Sequence, residues 1–330
     1  MIELIKQLPD QIEAGLKLPL EAIKPKTSPK TIYICGMGGS AAAGAVASCL
    51  FPDTDIRVVR NYALPSYVNE NDMVITVSYS GNTEETLSCY KDALAKRAMV
   101  QFVSSGGQLV ELAGQDGVPG AVIPKGLPPR AALGWLFTPL VLMLLDATSQ
   151  QPQLKEELTE LPDFLRASIK ALEGPDSPAL DLANKFYNRF PVIYASERFR
   201  PVAFRWCAQM NENSKSVAHC ASLPEMNHNE VSGLVNPPEL VEEMWIVFLR
   251  FHEDHPRVSA RADITAEILA DSVMGITQLE AQGQNTLQRL FWTLVFGDMV
   301  SYYLALAYKQ DPFAIPRIDV LKSRLRDVPW

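Results

Sequence analysis

Histidine is scarce in this chain: 330 residues hold four, beside five cysteines. So few ligands of these types argue against a metal-rich enzyme, and no C-x-x-C pair is present. Cys35, Cys49, Cys89, Cys207 and Cys220 are odd in number and widely spaced. They read as reduced thiols, mostly small core residues, in a cytoplasmic protein. An excess of positive charge is missing as well. Lys+Arg is 30 against Asp+Glu 38, a net of −8, so no nucleic-acid partner is expected, while a local phosphate pocket stays compatible with the balance. The opening MIELIKQLPDQIEAG carries acids among its apolar positions and reads as an amphipathic helix, not a signal peptide. The stretch Leu133–Leu145 is shorter than the roughly 20 residues that cross a bilayer. Phe291–Leu306 is longer but contains Asp298. Both predict buried helices, and no membrane partner is expected. No internal repeat and no low-complexity tract stands out.

What is present is an alternation. At roughly 150 residues per domain the length suggests two domains. The polar segment Ser149–Glu157, with Pro152 inside it, sets the boundary, dividing the chain into 1–150 and 151–330. In the first half apolar runs predict strands over 31–39, 55–62, 72–83, 99–105 and 120–126, with helices over 41–50, 84–96 and from Pro128 or Pro129 to about Ala147. In the second half strands are predicted over 191–197, 244–250 and 272–280, and helices over 153–173, 176–189, 202–210, 257–270, 284–308 and 314–326. This alternation predicts an α/β fold: parallel sheets with helices on both faces.

Two clusters sit where a strand ends and a helix begins. Gly36-Met37-Gly38-Gly39-Ser40-Ala41 offers glycines for close backbone approach and the free N–H groups of a helix start for an anion. It also fits the dinucleotide pattern G-x-G-x-x-A, but the second strand ends in Arg60-Asn61, where that pattern wants a ribose-binding acid. Ser78-Tyr79-Ser80-Gly81-Asn82-Thr83 brings hydroxyls and N–H groups together in a neutral basket suited to a phosphate monoester. The plainer reading is a helix cap by Thr83 or Asn82, which needs one side chain and leaves the other hydroxyls unexplained.

With GMGGSA followed by SYSGNTEET, the chain resembles the sugar isomerase (SIS) domains. Leu127-Pro128-Pro129-Arg130-Ala131-Ala132-Leu133-Gly134, Asn211-Glu212-Asn213-Ser214-Lys215 and Leu223-Pro224-Glu225-Met226-Asn227-His228-Asn229-Glu230 narrow the resemblance to the bifunctional phosphoglucose/phosphomannose isomerases, over essentially the whole chain. The resemblance implies two doubly wound, flavodoxin-like SIS subdomains. It implies an aldose–ketose isomerase joining glucose 6-phosphate and mannose 6-phosphate to fructose 6-phosphate through a cis-enediol.

Such a reaction needs a base at C1 and C2, an acid/base for ring opening and a partner for the negative intermediate. The resemblance puts the base at Glu212 and the ring-opening histidine at His228, contributed from the neighbouring subunit of a homodimer. His219, in the less distinctive VAHCA, is the rival. Arg130 is placed to steady the enediolate. Lys322 matches the lysine of the family's C-terminal helix, with Lys309 as the alternative. Phosphate is expected against Gly39, Ser40, Ser78, Ser80 and Thr83. The scheme requires no metal and no cofactor; His252 and His255, flanking Glu253-Asp254, read as solvated. The competing reading is a non-catalytic SIS-type regulatory protein that binds a sugar phosphate, for which the set of Glu212, His228 and Arg130 has no use.

Overall fold

The computed structural model describes residues 1–325 and 328. Two short helices open the chain, α1 (Ile2–Lys6) and α2 (Leu8–Gly15), where one was expected. Pro9 lies in the first turn of α2, where a missing N–H costs nothing. The alternation then begins: β1 (Ile32–Cys35), α3 (Gly38–Ser48), β2 (Ile56–Val59), β3 (Met73–Ser78), α4 (Glu84–Ala95), β4 (Met99–Ser104), α5 (Gly107–Asp116) and β5 (Gly120–Val122). These five strands pair in parallel in the order β2-β1-β3-β4-β5. β1 and β3 are buried along their whole length, as continuous apolar runs require in a covered parallel sheet. A 3₁₀ turn at Pro129–Ala131 leads into α6 (Leu133–Thr148), followed by α7 (Leu154–Ala171). α2 lies tight on α6: a Cβ at Gly15 would stand 2.9 Å from Cβ of Thr138, and one at Gly134 2.7 Å from Cβ of Gln11.

The remaining elements are α8 (Pro178–Phe186), β6 (Phe190–Ser196), α9 (Arg200–Gln209), β7 (His219–Leu223), α10 (Glu230–Gly233), α11 (Pro238–Val241), β8 (Met244–Arg250), α12 (Pro256–Leu269), β9 (Gly275–Glu280), α13 (Thr286–Ala307) and α14 (Pro316–Leu325). A second parallel sheet forms in the order β7-β6-β8-β9. The chain divides into two compact units. One is Glu3–Ala171 with Ala281–Thr293; the other is Leu172–Glu280 with the chain from Leu294 onward, Met1 and Ile2.

Alternate residues of the second sheet face opposite sides. Val192 and Tyr194 of β6, Leu223 of β7 and Ile246 and Phe248 of β8 join Ala262 and Leu269 of α12 in one core cluster. On the other face α9 packs on β6 and β7, and the Cys220 thiol meets that of Cys207. Four of the five cysteines are buried and Cys220 is partly so, all as free thiols. α13 is long and apolar enough to cross a membrane, yet 72% of its apolar window is buried in the protein. Its Asp298 takes a 2.8 Å bond from Nη2 of Arg205, both groups buried.

Candidate active site

In the first unit the order β2-β1-β3 means that the chain leaves β1 in one direction and returns on its other side. The crevice at the carboxyl ends of β1 and β3 is the place where such sheets bind ligands. Both sequence clusters end there. β1 stops at Cys35, and a Cβ at Gly36 would stand 2.8 Å from the Val77 carbonyl oxygen, so only glycine lets the two strand ends approach this closely. α3 starts at Gly38, inside the glycine cluster. The Ser40 hydroxyl accepts from the Tyr79 N–H at 3.1 Å and ties the first loop to the second.

The second loop is held in shape by its own hydroxyls. Ser78 Oγ pairs with Thr83 Oγ1 at 2.9 Å and accepts from the Gly81 N–H at 3.0 Å. Ser80 Oγ accepts from the Asn82 N–H at 3.2 Å. Thr83 stands at the N-cap of α4 without capping it by its side chain, and Asn82 Oδ1 instead accepts from the Gln108 N–H at 3.0 Å. The capping reading therefore does not hold, and the first turn of α4 keeps its N–H groups for another acceptor. Gly81 has φ +69°, and a Cβ there would stand 1.6 Å from the Gly106 carbonyl oxygen.

Arg130 reaches the same edge. Its guanidinium-bearing turn, Pro129–Ala131, packs so closely on α3 that a Cβ at Gly39 would lie 2.6 Å from the Pro129 carbonyl oxygen and 3.0 Å from the Arg130 nitrogen. Arg130 is 5% exposed. Two residues given no role in the sequence reading hold this turn and the connection before it. Gln11 of α2 donates to the Ala131 carbonyl at 2.8 Å and accepts from the Gly134 N–H at 3.1 Å. The Tyr79 hydroxyl donates to the Pro124 carbonyl and accepts from the Leu127 N–H, each at 3.0 Å. The connection it braces also carries Lys125, whose Nζ would stand 2.7 Å from a Cβ at Gly106. Gly39, Ser40, Ser78, Ser80, Thr83 and Arg130 are thus gathered on one edge. A periodicity search passes over Gln11 and Lys125, because each matters through a contact distant in sequence.

Glu212, His228 and Lys322 belong to the second unit. α9 ends in one π turn, Met210–Ser214, and Glu212 lies in it. Such turns cost backbone geometry and recur at functional sites. Here the turn is pinned from within. Asn213 Nδ2 donates to Ser301 Oγ at 2.9 Å, and Gln209 Nε2 to Asp298 Oδ1 at 2.8 Å, both on α13. Lys215, at φ +58°, donates its ammonium to the Glu212 carbonyl at 3.0 Å, the Asn213 carbonyl at 3.1 Å and the Asp311 carbonyl. Asn213 and Ser214 are buried while Glu212 is half-buried, so the turn is held from the inside and Glu212 keeps part of its surface exposed.

His228 ends a 3₁₀ turn, Glu225–His228, that follows β7. Its imidazole is exposed and makes no hydrogen bond or ion pair among the described residues. The polar residues around it are engaged. Asn227 Nδ2 donates to Thr265 Oγ1 at 2.8 Å, and Asn229 Nδ2 to Glu225 Oε1 at 2.9 Å. The rival, His219, pairs with Glu230 at 2.9 Å. The Glu212 turn continues α9, on one face of the sheet; the His228 turn joins the core on the other face through Met226. The two are not brought together within one chain. Lys322 is exposed on α14, which has no buried residue, and Lys309 is exposed in a left-handed residue just past α13. His252 and His255 are exposed, and His255 Nδ1 caps α12 by accepting from the Arg257 N–H. Among the described residues no three His, Cys, Asp or Glu side chains converge as a metal site.

Comparisons with known proteins show what the chain is similar to. Residues 175–325 match the bacterial phospho-glucose isomerase C-terminal SIS domain. The chain is 37% identical over 341 residues to the bifunctional phosphoglucose/phosphomannose isomerase of Caldicellulosiruptor bescii, covering 99% of each. It is 36% identical over 308 residues to that of Aquifex aeolicus, covering 92% of each. Among solved structures, the C-terminal domain of glucosamine-fructose-6-phosphate aminotransferase from Francisella tularensis shares the fold, with TM-score 0.74 at 16% identity over 95% of this chain and 98% of that one.

Proposed function

Because the chain belongs to the bifunctional phosphoglucose/phosphomannose isomerase family, we propose that Glu212 and His228 divide the proton transfers of its reaction between them. The protein is an aldose–ketose isomerase, an intramolecular oxidoreductase that interconverts glucose 6-phosphate or mannose 6-phosphate with fructose 6-phosphate. The phosphate rests on Ser40, Ser78, Ser80, Thr83 and the N–H groups at Gly39 and the start of α4. His228 takes a proton from O1 and gives one to O5 as the ring opens. Glu212 takes the C2 proton of the open aldose. O1 gains a proton, O2 gives one up, and Glu212 returns its proton to C1. Arg130 and Lys322 face the oxygen that carries negative charge between these steps. Rotation about C2–C3 lets the same carboxylate serve both C2 epimers.

The observation that carries the assignment of the base is the pinned π turn, which spends buried hydrogen bonds to hold one half-exposed carboxylate. Two features support a homodimer in which His228 acts across the interface. Glu212 and His228 stand on segments at opposite faces of one sheet, and His228 has no partner among the described residues. α14 also displays Ile318, Leu321 and Leu325 at helical spacing, each more than a third exposed, as a face meant for a second copy would. A cytoplasmic setting suits the five reduced cysteines.

The test is Glu212→Gln. It is expected to lower kcat by about 10³-fold or more while calorimetry still registers sugar phosphate binding; near-normal turnover overturns the assignment. Mixing Glu212→Gln with His228→Ala copies is expected to restore turnover, since one site of each mixed dimer is then complete. Persistent inactivity of a verified mixed dimer removes the shared site.

A further inference from the structure

Beside His228, Asn227 and Asn229 are held through their Nδ2 groups, and a further attachment lies two residues downstream. Glu230 begins α10 with its backbone N–H bonded to Asn229 Oδ1. Its carboxylate reaches back over the sheet. Oε1 accepts from the Tyr194 hydroxyl at 2.6 Å and pairs with His219 Nε2 at 2.9 Å. Tyr194 is fully buried in the middle of β6, its ring centroid 5.4 Å from that of Phe248 on β8 and tilted by 43°. The carboxylate is therefore anchored to a buried central strand of the second sheet. On the upstream side Asn227 is anchored to α12 through Thr265. His228 sits between these two anchors with its imidazole uncommitted.

We propose that Glu230, held by Tyr194 and His219, is the positioning residue that fixes the His228 turn so that its imidazole is presented for ring opening. This rests on the reading of His228 given above. The geometry explains why two residues outside the proposed mechanism, Tyr194 and His219, converge on one carboxylate oxygen of a third. It also separates the roles of the two histidines: His219 is committed to Glu230, and His228 is left available. The charges are consistent with a standing ion pair. The hydrogen bond that His219 gives to Glu230 pulls the histidine above its ordinary value against the effect of burial. Burial works to raise Glu230, but the bonds from His219 and Tyr194 outweigh it and bring the net shift down.

The experiment isolates ring opening in the full-length protein. In the Glu212→Gln background, exchange between the α and β anomers of glucose 6-phosphate is followed by NMR above the spontaneous rate. Adding Glu230→Ala is expected to slow this exchange at least tenfold. Adding Glu230→Gln, whose amide oxygen still accepts from Tyr194 and His219, restores most of it. Tyr194→Phe gives a smaller loss and serves in place of the alanine variant if that one does not fold. Unchanged exchange with Glu230→Ala, where His228→Ala abolishes it, overturns the proposal. Unchanged exchange with His228→Ala overturns the reading of His228 itself. A loss in Glu230→Ala that Glu230→Gln does not restore also overturns the proposal, because the carbonyl-type acceptor is then not what matters.

Discussion

The two sheets share one winding and put it to different use. In β2-β1-β3-β4 and in β7-β6-β8-β9 alike, the second strand in the chain lies outside the first and the third returns on its other side. Each therefore has a crevice at the carboxyl ends of its two central strands. In the first unit that crevice is lined by glycines and hydroxyls. In the second it is filled. Ser196, at the end of β6, donates to Asp254 Oδ1 at 2.5 Å, and Asp254 Oδ2 accepts from the Phe251 N–H at 3.0 Å. Phe199 stacks on Phe251 with ring centroids 3.8 Å apart. The chemistry proposed for the second unit lies elsewhere, at the end of α9 and in the connection after β7. Topology offers a site; side-chain volume and backbone freedom decide whether the site is open.

The largest expected effect comes from closing the open crevice. Gly81→Ala places a methyl on the Gly106 carbonyl in a left-handed residue. A loss on the order of 3–5 kcal/mol in chemical denaturation follows from strain and overlap together; a loss below about 1 kcal/mol would mean that the second loop yields easily. Next in size, replacing Ser78 and Thr83 together by alanine removes the pair that shapes the basket. KM for the sugar phosphate is expected to rise by about tenfold, in keeping with hydrogen bonds to a charged group, with kcat little changed. An unchanged KM would mean that phosphate binds at another place. The matching change in the filled crevice, Ser196→Ala, is expected to leave KM unaltered. If it raises KM, the contrast between the two crevices is wrong.

The smallest effect is a pH dependence that belongs to the second unit alone. His219 has its folded-state value raised above the ordinary 6.5. The stability it contributes is fully present below 6.5 and is lost as pH rises through the raised value. Glu230 is lowered from 4.5, so its contribution is present above 4.5 and is lost as pH falls through the lowered value. The difference in melting temperature between the native protein and His219→Gln should be greatest between these limits and shrink above neutral pH. Cys220, brought down to about 7 by its hydrogen bond with Cys207 and by the positive charges of His219 and Arg200, titrates nearby in the native protein. A constant difference from pH 5 to 9 would break the link between His219 and Glu230.

Most of the fold could be read from local patterns. β1, β3, β4, β6 and β8 are apolar runs, and α4, α7 and α12 follow amphipathic stretches within a few residues of the expected limits. Strand β7 escaped notice because HCASL has no β-branched residue and lies on the edge of its sheet, partly exposed. α5 escaped because GQLVELAGQD offers a weak apolar stripe after two glycines. In the site, the glycine and hydroxyl clusters and the NENSK and MNHNE stretches were legible. Gln11, Tyr79 and the Tyr194–His219–Glu230 cluster were not read as support for the site, because their contacts span from 11 to 123 positions of sequence.

The sequence alone settled the class of fold, the reaction family and the candidate side chains. Those depend on which residue types follow one another at short range: an apolar run, then glycines, then a helix start. Tertiary structure decided which of the two equivalent crevices is lined by glycines and hydroxyls and which is packed with rings, and that Thr83 binds Ser78 instead of capping α4. It also decided that the Glu212 and His228 segments stand at opposite faces of one sheet. Each of these depends on the distance between groups far apart in the chain, and that distance exists only once the sheets have formed and their faces are packed.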